Sequence, residues 1–297
     1  MFKKIKKSFL TVFDLLREAF GEWQKDNVSI LAASLAYYTV FSLTPILIIS
    51  IAIAGSIFGE EAARGEIMRQ FQDLVGSSGA EVIQTALSNA NTPKLKNIAS
   101  LISVVLLLIG ASGVFAQLQH ALNLVWNVKA KPGKGISQLI RKRLFSFSMV
   151  LAIGFLLLVS LVINATLSAL SKFGSSWLPG FDFLWQIFNF VLSFIITTFL
   201  FALLYKFVPD VKIAWKDVIM GAGITALLFA IGKFLLGFYL GRGTFGSAYG
   251  AAGSLVVLLA WVYYSAQIIM FGAEFTQVYA KKFGSRIVPD KHAVRKA

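Results

Sequence analysis

Long apolar runs alternate with short polar segments along most of the chain. Six of these runs approach or exceed the roughly 20 residues that a helix needs to cross a bilayer core about 30 Å thick. They are 30–57, 98–118, 145–168, 183–206, 217–240 and 254–276. The pattern predicts an all-α polytopic membrane protein with six transmembrane helices, whose membrane domain covers residues 30–276.

Two further helical regions are predicted outside the spans. In residues 1–29, apolar side chains recur at intervals of three and four behind a lysine-rich start. This predicts an amphipathic helix that either lies in the inner membrane interface or docks on the cytoplasmic side. Residues 58–97 hold two amphipathic stretches separated by a glycine- and serine-containing segment at 76–79. They predict a helical hairpin at the outer mouth, acting either as a gate or as a surface decoration.

The composition is unlike that of a soluble enzyme. Hydrophobic residues make up 57% of the chain and charged residues only 14%, whereas a soluble domain carries about a quarter charged residues. The chain has no cysteine, which excludes disulfides and thiolate metal sites, and its two histidines are too few for a histidine-built site. We therefore expect no cofactor, no metal and no enzymatic activity.

The net charge of +14 is concentrated in alternate segments between the apolar runs. Of 28 lysines and arginines, 21 lie in residues 3–25, 129–143, 206–216 and 281–296. This is the positive-inside pattern, and it predicts that both termini are cytoplasmic. Residues 277–297 then form a basic cytoplasmic tail. We expect the positive charge to meet anionic lipid headgroups rather than nucleic acid.

Lys233 is the main candidate for a functional residue, because it interrupts the fifth apolar run. It shares a helical stripe with small residues such as Ala222 and Ala226, which predicts that it points into the bundle. Its ammonium group then has three alternatives: it extends to the aqueous surface, pairs with Asp182 or with carbonyl groups, or lines a cavity that attracts an anionic group. The missing acidic partner at its depth favours the cavity over the pair. Polar residues predicted near the same depth are Asn164, Gln186 and Asn189.

The first run supplies a second candidate region around Pro45. Proline removes a backbone donor and predicts a kink, and Tyr37 and Tyr38 place hydroxyl groups nearby. The kinked helix either lines a pathway or is a static feature whose hydroxyls satisfy one another. The remaining candidate contacts are Tyr249 and Gly250 in a glycine-rich outer loop, and Glu274 near the inner end of the sixth run.

Four stretches of the chain together resemble the YihY/BrkB family of bacterial inner-membrane proteins. They are DNVSILAASLAYYTVFSLTP (26–45), ASGVFAQLQHALNLVWNV (111–128), YKFVPDVKIAWKDVIMGA (205–222) and YGAAGSLVVLLAWVYYSAQIIMFGAEF (249–275). The family pattern includes a lysine before the Tyr-Gly loop and a Gly-Ala-Glu near the end of the last span. Here these are Lys233 and Gly272-Ala273-Glu274.

The resemblance implies an integral inner-membrane protein of six helices. Some members carry the label ribonuclease BN, and others are linked to serum resistance or lipopolysaccharide export. We predict a transporter or flippase-like protein for an amphiphilic or anionic substrate such as a lipid. The alternatives are a non-transporting envelope scaffold and an enzyme, including the ribonuclease, for which the sequence offers no nuclease constellation.

Overall fold

The computed structural model describes residues 2–89, 98–131, 182–240, 252–284, 287–291 and 293–296. The helices in these ranges are α1 Phe2–Lys25, α2 Val28–Phe58, α3 Glu60–Asn89, α4 Ile98–Val125, α5 Asp182–Phe207, α6 Trp215–Leu240 and α7 Gly253–Phe283. The strands are β1 Val128–Ala130, β2 Val211–Lys212, β3 Val288–Pro289 and β4 Ala293–Arg295. The described chain is therefore mostly helical, as predicted.

Four of the described helices are long and apolar enough to cross a membrane. They are α2, residues Phe190–Phe207 of α5, residues Trp215–Leu236 of α6, and α7. Helix α4 covers the predicted second span, and the predicted third span, 145–168, lies outside the described residues. Helix α7 continues past the predicted boundary at 276 to Phe283, since Val278 is still buried against Leu15 and Ala19 of α1.

Helix α1 packs along the last turns of α7. Leu15 and Ala19 are buried there, whereas Val12, Phe13 and Phe20 are exposed. One apolar side of α1 is thus used for docking, and other large apolar side chains remain uncovered. Its position in the membrane interface stays a prediction.

Helix α3 is interrupted at Gly76, where φ is 76° and ψ is 177°. Glycine tolerates this left-handed backbone region because it has no Cβ atom. The two halves bury Ile67, Val75, Ile83 and Leu87 against α2 and α7. The break falls in the predicted glycine-containing segment, and a gating role for this region stays a prediction.

Helices α6 and α7 approach each other so closely that glycine is required on both. A Cβ atom at Gly221 would overlap Thr276 Oγ1, and one at Gly272 would overlap Thr225 Oγ1. Tyr205 of α5 joins this contact: its hydroxyl donates to the Ile269 carbonyl oxygen at 2.7 Å and lies 2.9 Å from Thr225 Oγ1. The crossing therefore ties α5, α6 and α7 together.

We call one end of the bundle the basic end. It is the end at which α2 begins and α4, α5 and α7 end. The C-terminal tail folds back onto it: β4 pairs antiparallel with β1, and β3 with β2. Asp210, between α5 and β2, accepts a hydrogen bond from Asn123 Nδ2 at 2.9 Å. The tail is thus part of the folded structure rather than only a solvated basic extension.

We predict that Gly221→Ala and Gly272→Ala each destabilise the protein by about 1–3 kcal/mol, the usual cost of overpacking a filled contact. Gly223→Ala is the matched control, because nothing lies within 4 Å of a Cβ built at that position on α6. Thermal unfolding of the purified variants in detergent measures the effect. Equal stability of all three variants and the parent chain would contradict the close-packing role of the two glycines.

Candidate functional site

Lys233 is exposed, so the prediction that it points into the bundle is wrong. The packed side of α6 changes along its length. Ala222 and Ala226 are buried near the basic end, whereas in the other half Gly232 is buried and packs on Tyr264 of α7. Lys233 shares a stripe with Ala222 and Ala226 in the sequence pattern, but it is not buried as they are. Its role in substrate binding stays a prediction.

The aromatic candidates of α2 are also exposed. Tyr37 is 60% exposed and packs edge to face against Tyr38, with 5.8 Å between the ring centroids. Pro45 packs against Gly110 of α4, and Ser42 Oγ donates to the Gly110 carbonyl oxygen at 2.6 Å. These contacts favour static packing around Pro45 over a pathway, and a route along Tyr37 and Tyr38 stays a prediction.

The other polar candidates remain untested. Gln186 and Asn189 lie near the start of α5. Asn164, Tyr249 and Gly250 lie outside the described residues.

Glu274 is the sequence-predicted candidate that forms a polar site in the described chain. It lies in α7 and is 0% exposed. Its carboxyl group lies near the carboxyl group of Asp26, a residue between α1 and α2. Neither Glu274 oxygen, nor Asp26 Oδ2, has a donor group to bond it among the described residues. Two carboxylates both accept, so this contact becomes a hydrogen bond only when one of them carries a proton.

The turn between α1 and α2 positions Asp26 for this contact. Asn27 has a φ of 51°, a left-handed conformation that asparagine tolerates better than most residues. Trp23 Nε1 donates to Gln267 Oε1 at 3.1 Å and fixes the end of α1 on α7. Arg141 and Arg143, in the basic segment 129–143, lie outside the described residues.

The environment of Asp26 makes its ionisation less favourable than that of an aspartate in water. Burial raises the pKa of Asp26, and the nearby carboxylate of Glu22 raises it further. Lys25, Lys296 and the hydrogen bond with Glu274 act in the opposite direction, but the net pKa is still raised.

A cavity of about 390 Å³ lies at the basic end, beside α7 and the folded tail. Its polar and charged lining includes Trp126, Gln277, Lys281, Arg295 and Lys296. Trp126 is 2% exposed, and its Nε1–H group has no acceptor among the described residues. Gln277 is held in place, since its Nε2 donates to the Val125 carbonyl oxygen at 2.6 Å and its Oε1 accepts from Lys281 Nζ at 3.0 Å.

The cavity and the carboxyl pair share their charged neighbours. Lys281 lines the cavity and acts electrostatically on Glu274, and Lys296 lines it and acts on Asp26. The backbone N–H of Lys296 donates to the Asn127 carbonyl oxygen at 2.8 Å, next to β1. The basic end thus combines a cationic cavity, an unsatisfied indole donor and a buried carboxyl pair.

Sequence reasoning missed most of this site. Asp26 and Trp126 lie inside stretches that carried the family resemblance, but neither was singled out as a candidate. Lys281 and Lys296 were assigned only to the basic tail. Finding them required knowing that β4 returns to β1, and strands of three residues leave no periodic signal in a sequence.

The family described as virulence factor BrkB matches residues 19–297. The chain belongs to this BrkB family. It is 29% identical over 282 residues to a UPF0761 membrane protein of Pseudoalteromonas translucida (strain TAC 125), covering 89% of this chain and 88% of that one. It is 30% identical over 260 residues to a UPF0761 membrane protein of Photobacterium profundum, covering 84% of this chain and 76% of that one.

A third relative is longer. The BrkB chain is 26% identical over 292 residues to a UPF0761 membrane protein of Psychrobacter sp. (strain PRwf-1), covering 97% of this chain but 52% of that one. The chain therefore spans about half the length of this relative. No solved structure matches the chain significantly.

The names of the relatives and the four apolar helices agree that this BrkB protein is an integral membrane protein. In the part of the chain that the structure describes, no group of three or more His, Cys, Asp or Glu residues is placed to hold a metal ion. The cavity at the basic end is lined by Lys281, Arg295 and Lys296, whose side chains are hydrogen-bond donors.

We predict that Asp26→Asn raises the thermal stability of the protein at pH values above about 4. Because the folded-state pKa of Asp26 is raised, the parent chain loses stability as the pH rises from the unfolded value near 4 through the folded value. Asparagine removes this loss, so the difference in melting temperature should vanish below about pH 4 and grow above it. Thermal unfolding in detergent across this range measures it, with Asp14→Asn at an exposed position of α1 as the control. A variant less stable than the parent at pH 8 would contradict the prediction.

Proposed function

We propose that this chain is a transporter or flippase-like protein of the inner membrane that moves an anionic amphiphile, such as an anionic lipid. The observation that carries the proposal is the cavity at the basic end, where three cationic side chains and a buried indole donor converge. No catalytic step is assigned to the chain.

The cavity lining suits a phosphate or carboxylate headgroup. Lys281, Lys296 and Arg295 offer ammonium and guanidinium donors, which form the stronger, charge-assisted hydrogen bonds to anions. The Trp126 N–H group is buried without an acceptor, a state that costs about 1–3 kcal/mol unless a guest supplies one. Val128 and Ile287 add apolar lining, so the same cavity also accommodates the start of an apolar chain.

The proposed orientation places this cavity at the inner leaflet. Basic segments remain on the cytoplasmic side of polytopic proteins, where anionic lipids attract them. Lys281, Arg295 and Lys296 are all exposed, so an anion reaches them from the aqueous side of the membrane. Lys233 lies in the half of α6 remote from the basic end, where it would provide a second cationic contact along the route.

The deciding experiment measures lipid movement between leaflets. Purified protein is reconstituted into vesicles containing a fluorescent phosphatidylglycerol, and a membrane-impermeant quencher reports the label that reaches the outer leaflet. The parent chain should accelerate exchange over protein-free vesicles. Lys281→Gln combined with Lys296→Gln should slow it about tenfold or more, because each charged hydrogen bond contributes roughly 1.5–3 kcal/mol.

Lys216→Gln is the matched control, since Lys216 is an exposed lysine at the start of α6 and is not part of the cavity lining. It should leave exchange unchanged. A parent chain no faster than empty vesicles would overturn the proposal and favour a non-transporting scaffold. If the double variant exchanges lipid as fast as the parent chain, the cavity is not part of the transport route.

A further inference from the structure

The buried carboxyl group of Glu274 has no charged partner to explain it. No lysine or arginine among the described residues forms a salt bridge with it, and both of its oxygens lack a donor. Its neighbours along the helix, Ala273 and Phe275, and Met270 one turn earlier, are apolar and buried. An ionised carboxylate in such surroundings costs several kcal/mol, so a buried acid without a partner is normally neutral.

The contact with Asp26 shows where a proton would be held. Asp26 is only half-buried, and Lys25 and Lys296 lie near enough to stabilise a negative charge on it. Glu274 is fully buried. The proton therefore belongs on Glu274, whose O–H group donates to the Asp26 carboxylate, and the pair then carries one negative charge.

The charged groups around the pair come from three elements. Among the described residues they are Glu22 and Lys25 on α1, Lys281 on α7, and Lys296 after β4. One acid and three bases thus surround a pair that holds one charge. Two of the three bases, Lys281 and Lys296, also line the cavity.

We propose that Asp26 and Glu274 form a proton-binding site, and that its proton is the ion coupled to substrate movement. The site itself stands on the complete burial of Glu274 and on three carboxyl oxygens, two of Glu274 and one of Asp26, that are buried without a donor. The coupling rests on the proposed transport function. An intramembrane carboxyl group of this kind is a frequent element of proton-driven carriers.

The shared lysines provide a physical link between the two sites. An anion bound in the cavity would partly neutralise the positive charge of Lys281 and Lys296. These lysines would then stabilise an ionised carboxyl pair less. Proton binding and anion binding then favour each other, and this linkage is reciprocal. The proton and the anion would move together, with their charges balanced.

Infrared spectroscopy of the purified protein tests the site directly. A protonated carboxyl group has a carbonyl-stretch band that a carboxylate lacks, so the parent chain should show this band at pH 7. Glu274→Gln should remove it, and Asp26→Asn should shift it, because the acceptor of the hydrogen bond changes. Glu61→Gln, at an exposed position of α3, should leave it unchanged. No such band in the parent chain at pH 7, or a band that survives Glu274→Gln, would overturn the site.

The coupling is tested with the same lipid-exchange vesicles under an imposed pH gradient. The gradient should accelerate movement by the parent chain several-fold, and Glu274→Gln should abolish this acceleration. If the parent chain exchanges lipid at the same rate with and without the pH gradient, the coupling is overturned but the transport function is not. A chain that moves no lipid at all would overturn both function and coupling, while the infrared band would still decide the proton site.

Discussion

The contact between α6 and α7 determines how the rest of the bundle is arranged. Gly221 faces Thr276, and Gly272 faces Thr225, so each helix presents a glycine to a threonine of the other. Side chains two residues apart on a helix point about 200° away from each other. Gly272 therefore fixes the direction of Glu274: with Gly272 turned toward α6, the carboxyl group two residues later faces the α1–α2 turn. A packing requirement on one side of α7 thus positions an ionisable group on the other.

The burial of α7 explains why a carboxyl group there has so few partners. Every residue from Gly272 to Val278 is buried, so no exposed position of α7 adjoins Glu274. Helix α1 docks against the same turns through Leu15 and Ala19 and brings Asp26 to the carboxyl group. The amphipathic first helix is therefore more than a membrane attachment, because its end completes the polar site.

Periodicity and length predicted most of the helical fold, whereas the site was only partly accessible from the sequence. The apolar runs specify helices through local repetition, and α2, α5 and α6 end within a few residues of the expected limits. Glu274 was identified because an acid in an apolar run is conspicuous by itself. Lys233 was equally conspicuous, but its burial depends on which neighbouring helix lies beside that half of α6. Asp26 and Lys296 are distant in sequence from Glu274, and only the docking of α1 and the return of the tail bring them near it.

The basic tail shows how one set of charges serves two purposes. Positive residues near the ends of the spans orient a polytopic chain, and their exact positions within a segment do not matter for this effect. The pairing of β4 with β1 adds a constraint, because it places Arg295 and Lys296 over one cavity beside Trp126. Like charges brought this close repel one another unless an anion or an acid lies between them. Asp26 provides part of that compensation from the α1–α2 turn, and the proposed substrate would provide the remainder, which makes the cavity and the carboxyl pair two parts of one electrostatic site.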